Sequence, residues 1–257
     1  MTKLNDLIQS ARQIVFMTGA GVSTASGIPD YRSKNGLYAH GQTPEYLLSH
    51  DCLINEPEVY YDFVTHNLFY PDAQPNIIHQ KMAALTRDGR ATIITQNIDG
   101  LHAQADPVPG SLIEFHGNLY DIFCQKCGQK VDWHEYLKDM HHQNCGGILR
   151  SQIVLYGEGI DQQKLEHSIQ AIQTADLIVV VGTSFVVYPF AGLLQYRRPD
   201  AKIAAVNKEP IQVPPQTAMI VNDAVQEFAQ VKAWLWYTKN NDFLRLKFNF
   251  IFKEKGS

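Results

Sequence analysis

The sequence predicts an α/β fold in which a doubly wound parallel sheet carries helices on both faces, with two insertions interrupting the alternation. Three observations carry this. Short apolar, β-branched runs recur at Ile14-Val15-Phe16-Met17, Ala91–Thr95, Asp176–Val181 and Lys202–Val206. None shows the polar alternation of a half-exposed strand, so each reads as a strand covered on both faces. Helical periodicity fills the intervals, and the first run ends in the tight turn Gly19-Ala20-Gly21.

In chain order, Leu4, Leu7, Ile8 and Ala11 form one helical face that feeds the first strand. Residues 36–75, rich in Tyr, His, Pro and Asn with weak helical pattern, read as a helical and loop insertion. Helices are predicted over Ile77–Leu85, Lys164–Thr174 and Ala224–Trp236. Residues 119–156 hold three of the four cysteines and two Gly-rich turns, and read as a second, smaller domain. The expected division is a core of 1–35, 76–118 and 157–240, the insertion 36–75, the small domain 119–156, and a tail 241–257 of unknown role. That tail alternates apolar with other residues from Phe243 and then becomes continuously apolar, which suits an added edge strand or an aggregation-prone segment.

Composition narrows the function. The 257 residues are 45% apolar and 19% charged, with 22 Lys and Arg against 26 Asp and Glu, so the formal charge is -4. Such a chain has no overall field to hold nucleic acid phosphates or anionic lipid, so no specific nucleic acid and no membrane is expected as a partner. No window approaches the roughly 20 apolar residues of a membrane span, and the N-terminus is polar; the expected location is cytoplasmic. Cys124, Cys127 and Cys145 crowd together while Cys52 stands alone in an apolar stretch, a distribution that suits a metal site better than a disulfide framework.

The turn Gly19-Ala-Gly-Val-Ser-Thr24 has the first two glycines of a dinucleotide fingerprint and Thr24 in place of the third. Alone it is equally a phosphate-binding or a purely structural strand-to-helix turn. Polar clusters then follow at Gly27-Ile-Pro-Asp-Tyr-Arg-Ser33, Thr95-Gln-Asn-Ile-Asp-Gly-Leu-His102 and Glu114-Phe-His-Gly117. The last two fall at strand carboxyl ends, where open parallel sheets bind ligands. His79 and His102 read instead as core or helix-surface histidines.

These stretches, together with PNIIH at 75–79, CGGILR, IVLYGE, GTSFVVYP at 182–189 and VNKE at 206–209, resemble the sirtuins, the NAD-dependent protein lysine deacylases, in order over residues 10 to about 236. The resemblance implies a Rossmann-like core with a zinc-ribbon domain, NAD consumed as co-substrate, and acyl-lysine proteins or peptides as substrates. It places Gly19, Ala20, Gly21, Asp30, Tyr31 and Arg32 at the NAD phosphates and nicotinamide ribose, and Gln96 at a ribose. Asn97 and Asp99 fall at the nicotinamide pocket, and Gly182, Thr183, Ser184 and Asn207 along the adenosine half. His116 is implied as general base, with Asn97 beside it in the chemistry: the acyl oxygen attacks the nicotinamide ribose, nicotinamide leaves, and His116 draws a proton from a ribose hydroxyl. An imidazole titrates near neutrality and can accept that proton without a metal.

The peptide, by the same resemblance, lies between Val154-Leu-Tyr156-Gly157-Glu158 and the segment around Val186, as an added strand. The metal module departs from the usual two Cys-x-x-Cys pairs, because Cys124 and Cys127 are followed by His142 and Cys145. Three thiolates and one imidazole still make a closed, structural zinc set. His141 is the adjacent alternative ligand, and Asp139 and His134 are read as supporting the ligands or taking no part. Sirtuins that remove acidic acyl groups carry a Tyr and an Arg in the helical insertion, whereas the corresponding Tyr60–Leu68 contains no Arg or Lys; the resemblance thus implies that an acidic acyl chain would be buried without a cation, and neutral acyl groups are expected over succinyl. The rival activities are mono-ADP-ribosyl transfer and NAD hydrolysis on the same fold.

Overall fold

A computed structural model describes residues 2–30, 43–233, 235–239 and 242–246. Helix α1 (Lys3–Ser10) is capped by the Thr2 hydroxyl, which accepts from Asn5 N, and leads into β1 (Ile14–Thr18). The helices α2 (Pro44–Leu47), α3 (His50–Asn55) and α4 (Pro57–Asn67) follow, so the weakly periodic insertion is helical. Next come α5 (Ile77–Arg87), β2 (Ala91–Thr95), α6 (Leu101–Gln104) and β3 (Leu112–Glu114).

The cysteine-bearing segment contributes β4 (Gly117–Cys124), β5 (Lys130–Val131), α7 (Trp133–Tyr136) and β6 (Leu149–Ile153). The chain then returns through α8 (Gln162–Thr174), β7 (Leu177–Val181), β8 (Lys202–Asn207), β9 (Ala218–Val221) and α9 (Ala224–Ala229).

Six strands form one parallel sheet in the order β3-β2-β1-β7-β8-β9. Every residue of β1 and β7 is buried. The reason lies in the two-residue repeat of a strand: Ile14 and Phe16 point into a core with α1, α5 and α9, while Val15 and Met17 point into a second core with α8. An apolar run without alternation is the signature of a strand that must satisfy both.

The smaller sheet, β5-β4-β6, is antiparallel, and its apolar face shares one core with the helical insertion. Cys52, Leu53, Tyr60, Phe63 and Val64 pack against Leu119, Ile122, Tyr136 and Leu149. Cys52 is wholly buried there, a small hydrophobe whose thiol burial pushes upward. Neither segment has apolar surface enough to stand alone, and each supplies the other's core.

Two local expectations change. The glycine turn does not open an α-helix but two successive 3-10 turns, Ala20–Val22 and Thr24–Ser26, ended by Gly27 at φ 88°. Any anion at this turn therefore meets backbone N–H groups without a long helix behind them. The last helix ends at Ala229, seven residues before Trp236. Tertiary hydrogen bonds take the chain away: Lys81 Nζ donates to Val231 O at 2.8 Å, Lys232 N to Asn5 Oδ1 at 2.9 Å, and Gln9 Nε2 to Lys232 O at 2.9 Å. Beyond it, β10 (Leu235–Lys239) and β11 (Asp242–Leu246) pair with each other as an antiparallel hairpin and not with the edge of the main sheet. The rest of the tail lies outside the described residues.

Candidate active site

The sheet order reverses direction at β1, between β2 and β7, and the carboxyl ends of these strands open into a cleft of about 1490 Å³. At its floor the Gly19-Ala-Gly21 turn lies directly on the turn after β7: Gly21 N donates to Gly182 O at 2.8 Å. A Cβ on Gly21 would stand 2.8 Å from Gly182 Cα, and one on Gly19 2.7 Å from Thr183 Cβ. The glycines are thus required by the contact of two backbone turns, and that contact leaves the main chain bare toward the cleft.

Above the turn lies a buried polar network. Ser23 Oγ donates to Asp99 Oδ2 at 2.6 Å and accepts from Asn97 Nδ2 at 3.1 Å, with His79 Nε2 at 3.5 Å. His79 is oriented by the start of α5, where its Nδ1 accepts from Asn76 N in a capping box. Burial holds the Asp99 carboxyl above its ordinary range, against the hydrogen bonds from Ser23 and Leu101 N. Burial also pushes His79 down to about 4, so it is a neutral donor at neutral pH. His102 packs edge-on against His79, its Nε2 3.0 Å from Thr18 Oγ1, and its buried Nδ1 has no partner. Both are core histidines, the second only half satisfied.

Gln96 spans from β2 to the opposite turn, its Nε2 donating to Thr183 Oγ1 at 3.1 Å. Its carbonyl lies 3.3 Å from His116 Nδ1. That contact assigns the proton to Nδ1 and leaves Nε2 as the lone-pair nitrogen, with no hydrogen-bond partner among the described residues, on a ring that lines the cleft. Burial lowers the His116 pKa, Gln96 O opposes this, and Lys164 lowers it further.

The opposite wall is the strand end after β6. Val154 N donates to His116 O at 2.9 Å, and Gly117, at φ 87°, faces Ile153 so closely that a Cβ would lie 2.0 Å from Gln152 O. Glu158 folds back under this lip: both its oxygens accept from Arg150, at 2.7 and 3.1 Å, and Oε2 accepts from Leu155 N at 3.0 Å. Burial opposes its ionisation, yet Arg150 and Leu155 N hold its pKa at about 2. Tyr156 is tied to the insertion through His50 N→Tyr156 O and Tyr156 N→Leu48 O, both 2.9 Å. Facing it across the cleft stands Val186, 55% exposed.

Thus Gly19, Ala20, Gly21, Asp30, Gln96, Asn97, Asp99, His116, Val154, Tyr156, Gly157, Glu158, Gly182, Thr183, Ser184, Val186 and Asn207 all line one cleft. Tyr31 and Arg32 lie outside the described residues. The sequence alone does not single out Ser23 and gives His79 only a core or helix-surface place, yet both join the network. Their only local signal is the occurrence of a hydroxyl inside the glycine turn and of a histidine three residues after an Asn cap.

Cys124, Cys127, His142 and Cys145 bring their ligand atoms within 4.8 Å of one another. The separations of Cys145 Sγ from Cys124 Sγ and Cys127 Sγ are 3.5 and 3.7 Å, and His142 Nδ1 lies 3.4 and 3.3 Å from Cys127 and Cys145. A tetrahedral zinc with bonds of about 2.3 Å to sulfur has edges of about 3.7 Å, so the donor set fits one ion. Cys124 is held below its ordinary value, burial being opposed by N–H donors of the Cys-x-x-Cys turn. His141 turns outward to Asp139 at 3.1 Å, and His134 to Asp132 at 2.6 Å; neither histidine supports the cluster.

The fold and cleft define a Rossmann-like α/β protein of the dinucleotide-binding class, with a second lobe that carries a four-ligand metal site and contributes residues to the same cleft. Comparison with known proteins makes this specific. Residues 19–189 match the model of the Sir2 family. The chain is 56% identical over 232 residues to a NAD-dependent protein deacetylase of Lactiplantibacillus plantarum, covering 90% of this chain and 98% of the relative. It is 54% identical over 231 residues to one of Listeria monocytogenes, covering 90% and 100%. Among solved structures, a Sir2 with deacetylated p53 peptide and 3'-O-acetyl-ADP-ribose superposes with a TM-score of 0.80 at 32% identity, covering 88% of this chain and 95% of the other. A Sir2 with p53 peptide and NAD does so with 0.78 at 31%, covering 90% and 97%. The chain belongs to the Sir2 family.

Proposed function

We propose that this protein is a NAD-dependent protein lysine deacylase that transfers the acyl group from lysine to ADP-ribose, releasing nicotinamide and O-acyl-ADP-ribose. The observation that carries the reading is the convergence of His116 Nε2, without a hydrogen-bond partner among the described residues, and the Ser23–Asn97–Asp99 network on one cleft edged by the strand end after β6. NAD, when bound, supplies the ribose carbon and hydroxyl that receive the acyl group.

The chain's own residues divide the work. Gly19, Ala20 and Gly21 offer bare backbone to the phosphates, Asp30 shares that end of the cleft, Gln96 meets a ribose, and Tyr31 and Arg32 are assigned to the phosphates and nicotinamide ribose from the sequence alone. Gly182, Thr183, Ser184 and Asn207 take the adenosine half. Asn97 orients the carboxamide, and Asp99, held by Ser23, places negative potential where positive charge develops on the ribose. His116 Nε2 accepts the hydroxyl proton; Gln96 O steadies the other nitrogen as the ring becomes positive. Val154, Tyr156, Gly157, Glu158 and Val186 hold the peptide as an added strand. Cys124, Cys127, His142 and Cys145 would hold zinc in a structural role, because four protein ligands would leave no open position. We further read the core, insertion and small domain as divided at residues 35, 75, 118 and 156, and the protein as cytoplasmic, in keeping with thiols that serve a metal. No helix among the described residues is long and apolar enough to cross a membrane.

The test incubates the protein with NAD and an acetyl-lysine peptide and follows peptide mass, nicotinamide and ADP-ribose products together. Loss of acetyl mass matched one for one by O-acetyl-ADP-ribose, and abolished in His116→Ala, supports deacylation. Nicotinamide release without deacetylation points to NAD hydrolysis, and ADP-ribose mass gained on protein points to transfer.

A further inference from the structure

We propose that Phe190 is a positioning residue for His116, its ring forming the wall that fixes how the imidazole presents Nε2 to the cleft. This rests on His116 acting as the base. Among the described residues the imidazole makes a single hydrogen bond, at 3.3 Å to Gln96 O, which is long for N–H···O. One long bond does not hold a ring against rotation about its own Cβ–Cγ axis, and a rotated ring would turn the protonated nitrogen to the cleft. What bounds it sideways is aromatic: Phe115 at 5.5 Å and Phe190 at 6.4 Å between ring centroids, tilted by 57° and 51°.

Phe115 is the residue next to His116 and moves with it. Phe190 comes from the segment after β7, is 0% exposed in the core beneath the cleft, and packs edge-on to Phe115 at 5.6 Å. The same ring meets Phe185 at 6.1 Å. Phe185 is a non-glycine residue at φ 57°, a conformation held by its N–H to Thr183 Oγ1 at 3.0 Å and by that ring contact. One buried ring therefore braces both the imidazole and the backbone that presents Val186 to the peptide.

Phe190 also keeps water from one side of His116, and so shares in the burial that lowers its pKa. The charged group acting on His116 is Lys164 of α8, which lowers the value as well; Glu114 of β3 stands two residues away, with Asp121, Lys164 and Asp99 acting on it in turn. A change at Phe190 leaves all of these in place, so the burial contribution can be read separately.

The experiment compares Phe190→Leu and Phe190→Ala with the unaltered protein, using the pH profile of kcat/KM on an acetyl-lysine peptide. In parallel, histidine-selective NMR follows the His116 titration of the free protein, assigned with His116→Gln. In Phe190→Ala, kcat falls about tenfold while KM for NAD changes less than about threefold. The acid limb and the NMR titration both move up toward the ordinary histidine value, and Phe190→Leu restores most of each. Phe228→Leu is the control: its ring is equally buried but lies against Phe16 on the other face, so it lowers stability without moving the limb. Folded Phe190 variants with an unmoved limb and an unmoved titration overturn the proposal, and Phe190→Leu decides it if the alanine variant does not fold. If the unaltered protein has no acid limb matching the His116 titration, the base assignment itself fails.

Discussion

Ser23 and Asp99, 76 residues apart in the chain, share a 2.6 Å hydrogen bond that holds a buried carboxyl in the floor of the cleft. The hydroxyl also accepts from Asn97, so one small side chain from the glycine turn sets two groups from the loop after β2.

Ser23→Ala removes that acceptor and donor together. The Asp99 carboxyl rises further, Asn97 loses its partner, and kcat/KM for NAD falls about tenfold or more. The sign of the pH effect on stability follows from burial: a carboxyl raised in the folded state contributes stability that is present below its ordinary value and lost as pH rises through the folded value. Asp99→Asn should abolish that loss, which denaturant titrations across the weakly acidic range will measure. A parallel decline in both proteins would rule the account out.

The Arg150–Glu158 pair makes the opposite prediction. Glu158, at about 2 against an ordinary 4.5, contributes stability that is present above the ordinary value and lost as pH falls through the folded one. Its side chain is 23% exposed and that of Arg150 9%, so Glu158→Gln leaves a nearly buried guanidinium without its carboxylate. A loss of about 2 kcal/mol at neutral pH is expected, with a raised KM for peptide because residues 154–158 lose their support. An unchanged urea midpoint would contradict it.

Metal content separates two neighbouring histidines. His142→Ala should lower bound zinc well below one per chain and loosen the β4–β6 sheet, seen as accelerated hydrogen exchange in residues 119–153. His141→Ala should retain zinc in full, because that ring faces Asp139. Elemental analysis of the two purified variants gives the answer, and zinc loss on the His141 change alone would reverse the assignment.

The acyl preference follows from the walls near the insertion. Phe63 and Val64 of α4 are buried in the shared core, and the cleft is lined on that side by Leu48, Asn67, Leu68 and Ile98. Arg150 is already committed to Glu158 and to Ile153 O. A succinyl chain would meet no free cation among the described residues of this wall, so acetyl and propionyl peptides should exceed succinyl peptide in kcat/KM by about tenfold or more. Equal turnover of the succinyl peptide would refute this.

What the sequence determined alone was whatever depends on near neighbours. Ile14–Met17 and Leu177–Val181 announce doubly covered strands because strand burial has a period of two and both phases are apolar. Four metal ligands are legible because ligands two residues apart reach one ion from one turn. The positions expected at the cleft converge because parallel strands put their carboxyl ends on one side. Tertiary structure decided the rest, wherever the partner comes from elsewhere in the chain. The two-residue spacing favours His142 but leaves its neighbour His141 open until the fold brings one ring to the thiolates, and nothing local stops the last helix at Ala229 until Asn5 and Lys81 capture the residues after it. The Phe190 ring beside His116 and the Ser23 hydroxyl beneath Asp99 are likewise invisible in either segment alone, because packing is a property of surfaces brought together and not of the residues that carry them.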